Sequence, residues 1–486
     1  MHLLKKHALI FLLTLAAGVP QIIMYNTLPV ILVNDSVWYL DLTRHFAAGG
    51  FFPDYYALSK PVRCMINYPL GYPLFLDLCR VLSPDLYWGR AVVLCQHLLS
   101  LGSVLLLFLI GRNINRKAGG FFAALAYALY LPRLIYAQTI MAETLFVFLS
   151  LLAVFLFFQI YANGSGKRGG VLLGTVTAWS ILTKPLAVLG AGFFLICLLI
   201  FRPGRKVLFS FVLSLGCLIF SNCFYNWHFY GQFVLTTTSG SHLANRVLAY
   251  DGLIDPGNPE TRKIIAMCQH SGLVCRFPGE WWEYLRALRS NGLSPQEADH
   301  LLMKASLAGI RSNPLSYIRN TFSVYCMNIQ QTDHWIERRW ILSKEGYLQY
   351  LREWSTYPGG ILPPAEYESR RKILKNIAVD YPQGSWHSLG VRWIGSFDHA
   401  WWRWRSCAGW FFMFFLFYGL LARDKPLFFM SMFIVMNLLL IALAEAPYSR
   451  YFESFIPLAL LSAILAFSIF IKRILLRQDR GELRAL

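Results

Sequence analysis

Residues 88–110 read WGRAVVLCQHLLSLGSVLLLFLI, a run of 23 residues with one charged side chain, Arg90, near its start. A helix of about 20 apolar residues is long enough to cross the hydrocarbon core of a bilayer. Similar runs recur along the 486-residue chain, in which 56% of residues are hydrophobic and 15% are charged. The pattern predicts an all-α polytopic membrane protein, and it excludes a disordered chain, a small disulfide-rich secreted protein and a nucleic-acid-binding tail.

The apolar runs predict about ten transmembrane helices. They lie at 8–33, 88–110, 118–132, 143–161, 170–183, 186–201, 207–224, 406–421, 427–444 and 452–471. On one side they are flanked by 17 basic and three acidic residues, whereas the short loops on the other side carry eight of each. Because positively charged loops stay in the cytoplasm, both termini are predicted to be cytoplasmic. Most of the net charge of +19 therefore encodes orientation in a cytoplasmic (inner) membrane, and no nucleic-acid partner is expected.

The topology divides the chain into three parts. Residues 1–224 form a transmembrane module whose first outer loop is 34–87, residues 225–405 form an extracytoplasmic soluble domain, and residues 406–486 form the last helices and a cytoplasmic tail. The first apolar run is too long for a typical cleaved signal and is predicted to remain as an anchor. Helical patterns occur at 280–290 and 296–311. A tryptophan cluster at 401–405 is typical of an interfacial belt.

The first outer loop opens with Asp35 at the start of a predicted helix, 36–48. Four-residue spacing places Asp35 and Tyr39 on one face of that helix, with Asp41 further along it. The turn Tyr68-Pro69-Leu70-Gly71-Tyr72-Pro73 follows and leads into a short apolar stretch, 74–82, predicted to lie in the membrane interface. A helix N-cap is the alternative role for Asp35.

Two further polar stretches are predicted to lie below the membrane surface. The third run has about 15 residues before Pro132, so the chain from Arg133 to Glu143 is recessed, against protein or a water-filled cavity. A break at Lys184-Pro185 preserves the charge alternation and creates a second recessed turn. Arg450 stands at the outer mouth before the last run. Helix-dipole stabilisation is the alternative role for Glu143, and interfacial anchoring is the alternative for Lys184 and Arg450.

Carboxylates and cations around one outward-facing cavity suit a transfer reaction. A carboxylate can accept the proton of an incoming hydroxyl group, and fixed cations can stabilise the charge that grows on a departing phosphate. A lipid-linked phosphate presents its head group at this depth. The residues therefore favour glycosyl transfer from a polyprenyl-phosphate sugar to an extracytoplasmic acceptor.

The order of these motifs resembles the C-type (GT-C) superfamily of polyprenyl-phosphate-sugar-dependent glycosyltransferases. It is most similar to the bacterial branch with protein O-mannosyltransferase-like and aminoarabinose-transferase-like members. The motifs are Asp35-x-x-x-Tyr39, the turn 68–73, Ala142 to Phe146, Thr183-Lys184-Pro185, Asn226 to Thr238, and Arg450-Tyr451 to Pro457. The Asn226 motif runs on into Ser239-Gly240-Ser241-His242.

The resemblance implies an inverting glycosyltransferase and a role for each matching residue. Asp35 would be the catalytic base, or would bind a divalent metal ion, with Glu143 in support. Cations would face the donor's lipid phosphate: Lys184, Arg450 and Arg133. Further side chains would line the substrate cavity: Tyr39, Asp41, Tyr68, Tyr72 and His242. Ser36 stands where the family often has a second acidic residue, so metal dependence stays open, and no organic cofactor is expected.

Two other functions remain as alternatives at this stage. A transporter or flippase of lipid-linked sugars would need ionisable groups near the bilayer midplane and usually repeat symmetry. An oligosaccharide ligase or polymerase would differ in its donor, a preassembled glycan on a diphosphate carrier. Cys268 and Cys275 could close a disulfide in an oxidising compartment, or could remain as free buried thiols.

Overall fold

The computed structural model describes most of the two transmembrane parts and part of the segment between them. The described residues are 2–33, 35–36, 39–40, 42–43, 68–83, 88–163, 166–272, 278, 281–330, 411–422, 424–444 and 454–482. Regular structure within them is helical, with one isolated parallel bridge between Ile31 and Thr139.

Among the residues that the structure describes, nine α-helices have bounds in the first part of the chain. They are α1 (His2–Thr27), α2 (Gly71–Leu82), α3 (Trp88–Asn113), α4 (Lys117–Ala128), α5 (Leu131–Gln138), α6 (Glu143–Asn163), α7 (Lys167–Thr183), α8 (Val188–Phe201) and α9 (Arg205–Tyr230). A 3-10 turn, Pro185–Ala187, separates α7 from α8. Helix α9 runs six residues past the predicted end of the seventh span, and so crosses the predicted domain boundary at 224.

The remaining described helices belong to the segment that follows α9 and to the C-terminal part. They are α10 (Ser239–Ala244), a π-helix (Asn245–Tyr250), α11 (Pro259–His270), α12 (Trp281–Ser290), α13 (Pro295–Ser312), α14 (Pro314–Gln330), α15 (Phe411–Leu421), α16 (Lys425–Ala444) and α17 (Ile456–Glu482). Helices α12 and α13 confirm the helical patterns predicted at 280–290 and 296–311.

Five described helices are long and apolar enough to cross a membrane, namely α1, α3, α6, α9 and α16. Helices α4 and α5 add a sixth span if they are counted together, although their axes are bent by 57°. Shorter apolar helices occur at Pro185–Phe201, Phe411–Leu421 and Ile456–Lys472. The protein is therefore a helical, multi-pass membrane protein.

The first predicted span ends earlier than its hydropathy suggests. Helix α1 stops at Thr27, and residues 28–33 are extended rather than helical as the run 8–33 predicted. The main chain of Ile31 instead pairs with the segment after α5, since Ile31 N donates to Gln138 O at 3.0 Å and Ile140 N donates to Ile31 O at 2.9 Å. Pro29 has no N–H to continue a helix, and this pairing satisfies the released backbone.

Small residues bring the transmembrane helices into close contact. Gly111 of α3 lies directly against Gly120 of α4, where an added Cβ would overlap the facing backbone. Gly170 and Gly174 of α7 approach the backbone of α9 in the same way. Close approach through glycine is a usual means of packing helices where water supplies no driving force.

The N-terminal and C-terminal helices share one apolar core. Phe157 of α6 stacks on Phe429 of α16, with ring centroids 4.4 Å apart and an interplanar angle of 9°. Phe194 of α8 and Phe433 of α16 lie beside them, 5.6 Å apart. Offset aromatic pairs of this kind contribute about 0.5–1.5 kcal/mol each beyond the area that they bury. Residues 425–444 therefore pack directly on the first module.

The helices that follow α9 have a small core of their own, which includes Val247, Ile264, Leu288 and Leu302. Asp299 of α13 joins them to the N-terminus of α10 by accepting hydrogen bonds from Gly240 N at 2.9 Å and Ser241 N at 2.7 Å. These contacts satisfy donors that a helix start leaves unpaired.

Replacing Gly120 with alanine should destabilise the protein by roughly 1–3 kcal/mol, because α3 and α4 must separate to admit one methyl group. Thermal unfolding in detergent measures the change. The control is Gly216→Ala on α9, where nothing lies within 4 Å of the added methyl group. Equal melting temperatures for the two variants would contradict the described helix contact.

Candidate functional site

The third span is broken between α4 and α5 inside the bundle, and hydrogen bonds from Arg133 stabilise the break. Helix α4 ends at Ala128, and α5 begins with Leu131-Pro132 after a bend of 57°. The Arg133 side chain is buried, with its guanidinium donating to Ala128 O at 2.7 Å and to Ser100 Oγ at 2.8 Å. A cation at the C-terminal end of α4 also complements the helix dipole. Arg133 therefore lies in a short helix, whereas the sequence predicted a loop there.

The segment after α5 is held by Gln96, a buried side chain of α3. Its amide nitrogen donates to Ala137 O at 3.0 Å and to Thr139 O at 2.7 Å. Its oxygen accepts a hydrogen bond from the hydroxyl of Tyr72 on α2 at 2.7 Å. One glutamine thereby joins three stretches of chain and satisfies carbonyl groups that no helix uses.

Gln138 performs the same role for the extended residues after α1. Its amide nitrogen donates to Leu28 O at 2.8 Å and to Pro29 O at 2.9 Å, and its oxygen hydrogen-bonds His97 Nε2 at 2.9 Å. These contacts fix the main chain where α1 gives way to the first loop. The positions of Leu28 and Pro29 thus depend on α5.

Asp35 lies two residues beyond this extended stretch and is half-buried. Its neighbour Ser36 donates from Oγ to Ile140 O at 2.7 Å and accepts from Val33 N at 2.9 Å. Ile140 is three residues before Glu143. The chain around Asp35 and the chain that leads into α6 are therefore joined directly. That the carboxylates of Asp35 and Glu143 face one space stays a prediction.

Glu143 and Lys184 form a buried ion pair. The Lys184 ammonium lies 2.8 Å from Glu143 Oε1, and their side chains are 14% and 5% exposed. Lys184 follows the last residue of α7 in extended backbone, and its ammonium also lies 5.6 Å from the centre of the Phe146 ring. The predicted break at Lys184-Pro185 is confirmed. An ion pair explains why a cation is tolerated at this depth.

A small cavity lies between the broken span and α6. It has a volume of about 20 Å³ and is walled by Arg133 and Glu143, together with hydroxyl-bearing side chains that include Ser100, Thr144 and Ser454. That volume accommodates about one water molecule. The structure thus brings Arg133 and Glu143 to one polar interior space.

The three loop tyrosines pack together rather than lining that cavity. The Tyr39 ring lies 4.5 Å from the Tyr68 ring and 4.7 Å from the Tyr72 ring. Tyr39 and Tyr72 are buried, whereas Tyr68 is half-buried. The buried Tyr72 hydroxyl finds its hydrogen-bond partner in Gln96, and contact of these tyrosines with a substrate stays a prediction.

The remaining predicted site residues are placed elsewhere or lie outside the described residues. His242 is exposed on α10. Asp41, Arg450 and Cys275 are not among the described residues. Cys268 is disulfide-bonded, and its predicted pairing with Cys275 remains a prediction. Within the described ranges, no three His, Cys, Asp or Glu side chains are grouped to hold a metal ion.

Sequence reasoning missed the amides and the indole that hold the loops. Asn222 of α9 accepts a hydrogen bond from Leu70 N at 3.3 Å, and Trp179 of α7 donates to Gly71 O at 3.3 Å. The signal that could have found Gln96, His97 and Asn222 is their polarity inside apolar runs, where polar side chains are rare and usually serve a purpose.

Breaks in two spans around buried ionic side chains define a polytopic membrane protein with a polar site inside its bundle. The family profile described as dolichyl-phosphate-mannose-protein mannosyltransferase matches residues 67–229, a range that contains Arg133, Glu143 and Lys184. This match confirms the resemblance to the C-type glycosyltransferases over that range. No curated protein matches the chain in a sequence comparison.

Two solved structures align with this chain at low identity. The Archaeoglobus fulgidus oligosaccharyltransferase, tethered to an acceptor peptide, is 11% identical with a TM-score of 0.42, covering 98% of this chain and 51% of that one. This chain therefore spans about half the length of that enzyme. ArnT from Cupriavidus metallidurans, bound to undecaprenyl phosphate, is 11% identical with a TM-score of 0.36, covering 94% of this chain and 78% of that one.

Breaking the buried ion pair should destabilise the protein strongly. Glu143→Gln leaves the Lys184 charge buried without its carboxylate, and such a loss costs about 3–5 kcal/mol. The double variant Glu143→Gln with Lys184→Met removes both charges and should be more stable than Glu143→Gln alone. Unfolding in detergent of the two single variants and the double variant measures this coupling. Additive losses would show that the two side chains do not interact.

Proposed function

We propose that the protein is an inverting glycosyltransferase that moves a sugar from a polyprenyl-phosphate donor to an extracytoplasmic acceptor. The acceptor is a lipid, a cell-envelope glycan or a protein. The observation that carries the proposal is the buried Glu143–Lys184 pair beside the chain that holds Asp35, inside a family match whose description names a dolichyl-phosphate sugar.

The proposed topology has about ten transmembrane helices, with both termini in the cytoplasm and the site facing the periplasmic side of the inner membrane. The charge asymmetry of the loops supports this orientation. The break at Lys184 supports the count, because it divides one long apolar run into α7 and α8 and keeps the Arg202–Lys206 cluster on the basic side.

In the proposed reaction, Asp35 accepts the proton of the acceptor hydroxyl as that oxygen attacks the anomeric carbon of the donor sugar. The bond from the anomeric carbon to the phosphate oxygen breaks on the opposite face, and its electron pair leaves with the lipid phosphate. Attack from the opposite face inverts the configuration at that carbon. Proton removal by a positioned carboxylate typically contributes about 10²–10⁴-fold in rate.

Lys184 and Arg450 stabilise the departing phosphate in this scheme. An ammonium group carries three donors, so Lys184 can bond Glu143 and a phosphate oxygen in one geometry. Glu143 is then a positioning residue, because it fixes the ammonium without touching the substrate. Arg133 supports the site by bracing the α4–α5 break, since its two Nη atoms donate to Ser100 and Ala128.

Replacing Asp35 with asparagine should reduce transfer by about 10²–10⁴-fold, because the amide cannot take the acceptor proton. The measurement is mass spectrometry of envelope glycans from cells that lack the protein and carry either the wild type or the variant. A missing sugar residue in the deficient cells would also identify both the sugar and its acceptor.

Asp77→Asn serves as the matched control. Asp77 lies on α2 and pairs with Arg80 at 2.8 Å in a partly exposed position, where losing the pair has little effect on stability. This variant should retain transfer. Near-normal transfer by a folded Asp35→Asn protein would remove Asp35 from the reaction.

A further inference from the structure

Helix α14 presents a stripe of large apolar side chains to its surroundings. Leu315 is 80% exposed, Ile318 is 64% exposed and Phe322 is 62% exposed. Spacings of three and four residues place all three on one face of the helix. Burying apolar surface away from water stabilises a protein by roughly 25 cal/mol of free energy per Å². A continuous exposed stripe of this kind therefore indicates a partner that covers it.

The opposite face of α14 belongs to the transmembrane bundle. Tyr317, Thr321 and Val324 are buried there, and Val324 belongs to the same apolar cluster as residues of α3, α6 and α16. Near the start of α14, the Tyr317 hydroxyl donates to Leu443 O in the last turn of α16. Helix α14 therefore begins beside the C-terminal end of a membrane span and runs along it.

Charge and length favour one kind of partner. Residues 301–330 contain three basic residues and no acidic residue, and Arg311 and Arg319 are exposed. Helix α14 has 17 residues and is about 26 Å long. Starting near the membrane surface, it is too short to cross the whole bilayer. Basic residues beside an apolar stripe are typical of a helix whose apolar side chains contact acyl chains while its cations stay at lipid phosphates.

We propose that α14 is seated in the lipid bilayer, beyond the transfer reaction proposed above. Leu315, Ile318 and Phe322 contact acyl chains, while Arg311 and Arg319 reach anionic head groups. Lipid is favoured over a protein partner because α16, on which α14 packs, also exposes apolar side chains, Phe428 and Leu439. The segment 225–405, predicted as a soluble domain, is thereby anchored to the membrane through α14, which sets the height of α10 to α13 above the site.

Photo-crosslinking of the full chain in native membranes tests this assignment. Ile318→p-benzoylphenylalanine and Phe322→p-benzoylphenylalanine place a photoreactive apolar group on the exposed face, where it need not disturb packing. The control is Lys263→p-benzoylphenylalanine, at an exposed position on α11. After irradiation, peptides are analysed by mass spectrometry.

The account expects a mass increase of one phospholipid at positions 318 and 322 and no such increase at 263. Crosslinks from 318 and 322 to residues of this chain, or to another protein, would show that a polypeptide covers the stripe and would overturn the proposal. Lipid adducts at position 263 equal to those at 318 would also overturn it, because the stripe would then have no special exposure to the bilayer.

Discussion

Backbone that leaves a helix inside a membrane must find its hydrogen bonds within the protein, and the rest of this structure depends on how that constraint is met. The chain interrupts its helices after Thr27, Ala128 and Thr183. The broken ends are satisfied by side chains of neighbouring helices, because hydrocarbon offers no substitute. Arg133 caps α4, while Gln96 and Gln138 bond the free carbonyls. Each of these contacts draws a different stretch of chain towards the same interior region.

This arrangement gives the site its chemistry. A carboxylate and an ammonium that meet away from bulk water interact more strongly than they would at a surface. The Glu143–Lys184 pair thus gives the buried Lys184 cation a partner, and in the proposed reaction this cation meets the lipid phosphate. A second buried ion pair joins Arg246 of the π-helix to Asp251. Burial raises the pKa of the Asp251 carboxyl, and the guanidinium of Arg246 opposes that shift.

The sequence predicted much of the helical framework and the ionic residues. Hydropathy located the long helices, and the Lys184-Pro185 break was predicted because proline and the charge alternation agreed there. Hydropathy could not reveal that residues 28–33 pair with 138–140, since that contact joins positions about 110 residues apart and replaces what reads as the end of a span. Nor could it show that Gln96 and Gln138 point at those carbonyls. Hydrophobic periodicity predicts the helix face on which a residue lies, but it does not predict which residues of other helices that residue contacts.

Hydropathy could not predict the position of helix α14 either. Its composition is too mixed to read as a span, and its place beside α16 follows only from packing. The topology predicts 225–405 as one soluble unit because this segment lies between two groups of spans, and it cannot reveal a stripe of three exposed apolar residues within that segment. Averages over a segment predict its class, whereas the disposition of individual side chains decides what the segment contacts.

The central claim is that ionic side chains from separate stretches converge on one pocket that receives a lipid-linked phosphate from the outer leaflet. An experimental structure in lipid nanodiscs with polyprenyl phosphate bound tests it most directly. The account predicts that the phosphate lies within ion-pair distance of the Lys184 ammonium, with the Asp35 carboxylate facing the same space. A phosphate bound at the cytoplasmic ends of the helices, or Lys184 turned away from the ligand, would contradict it.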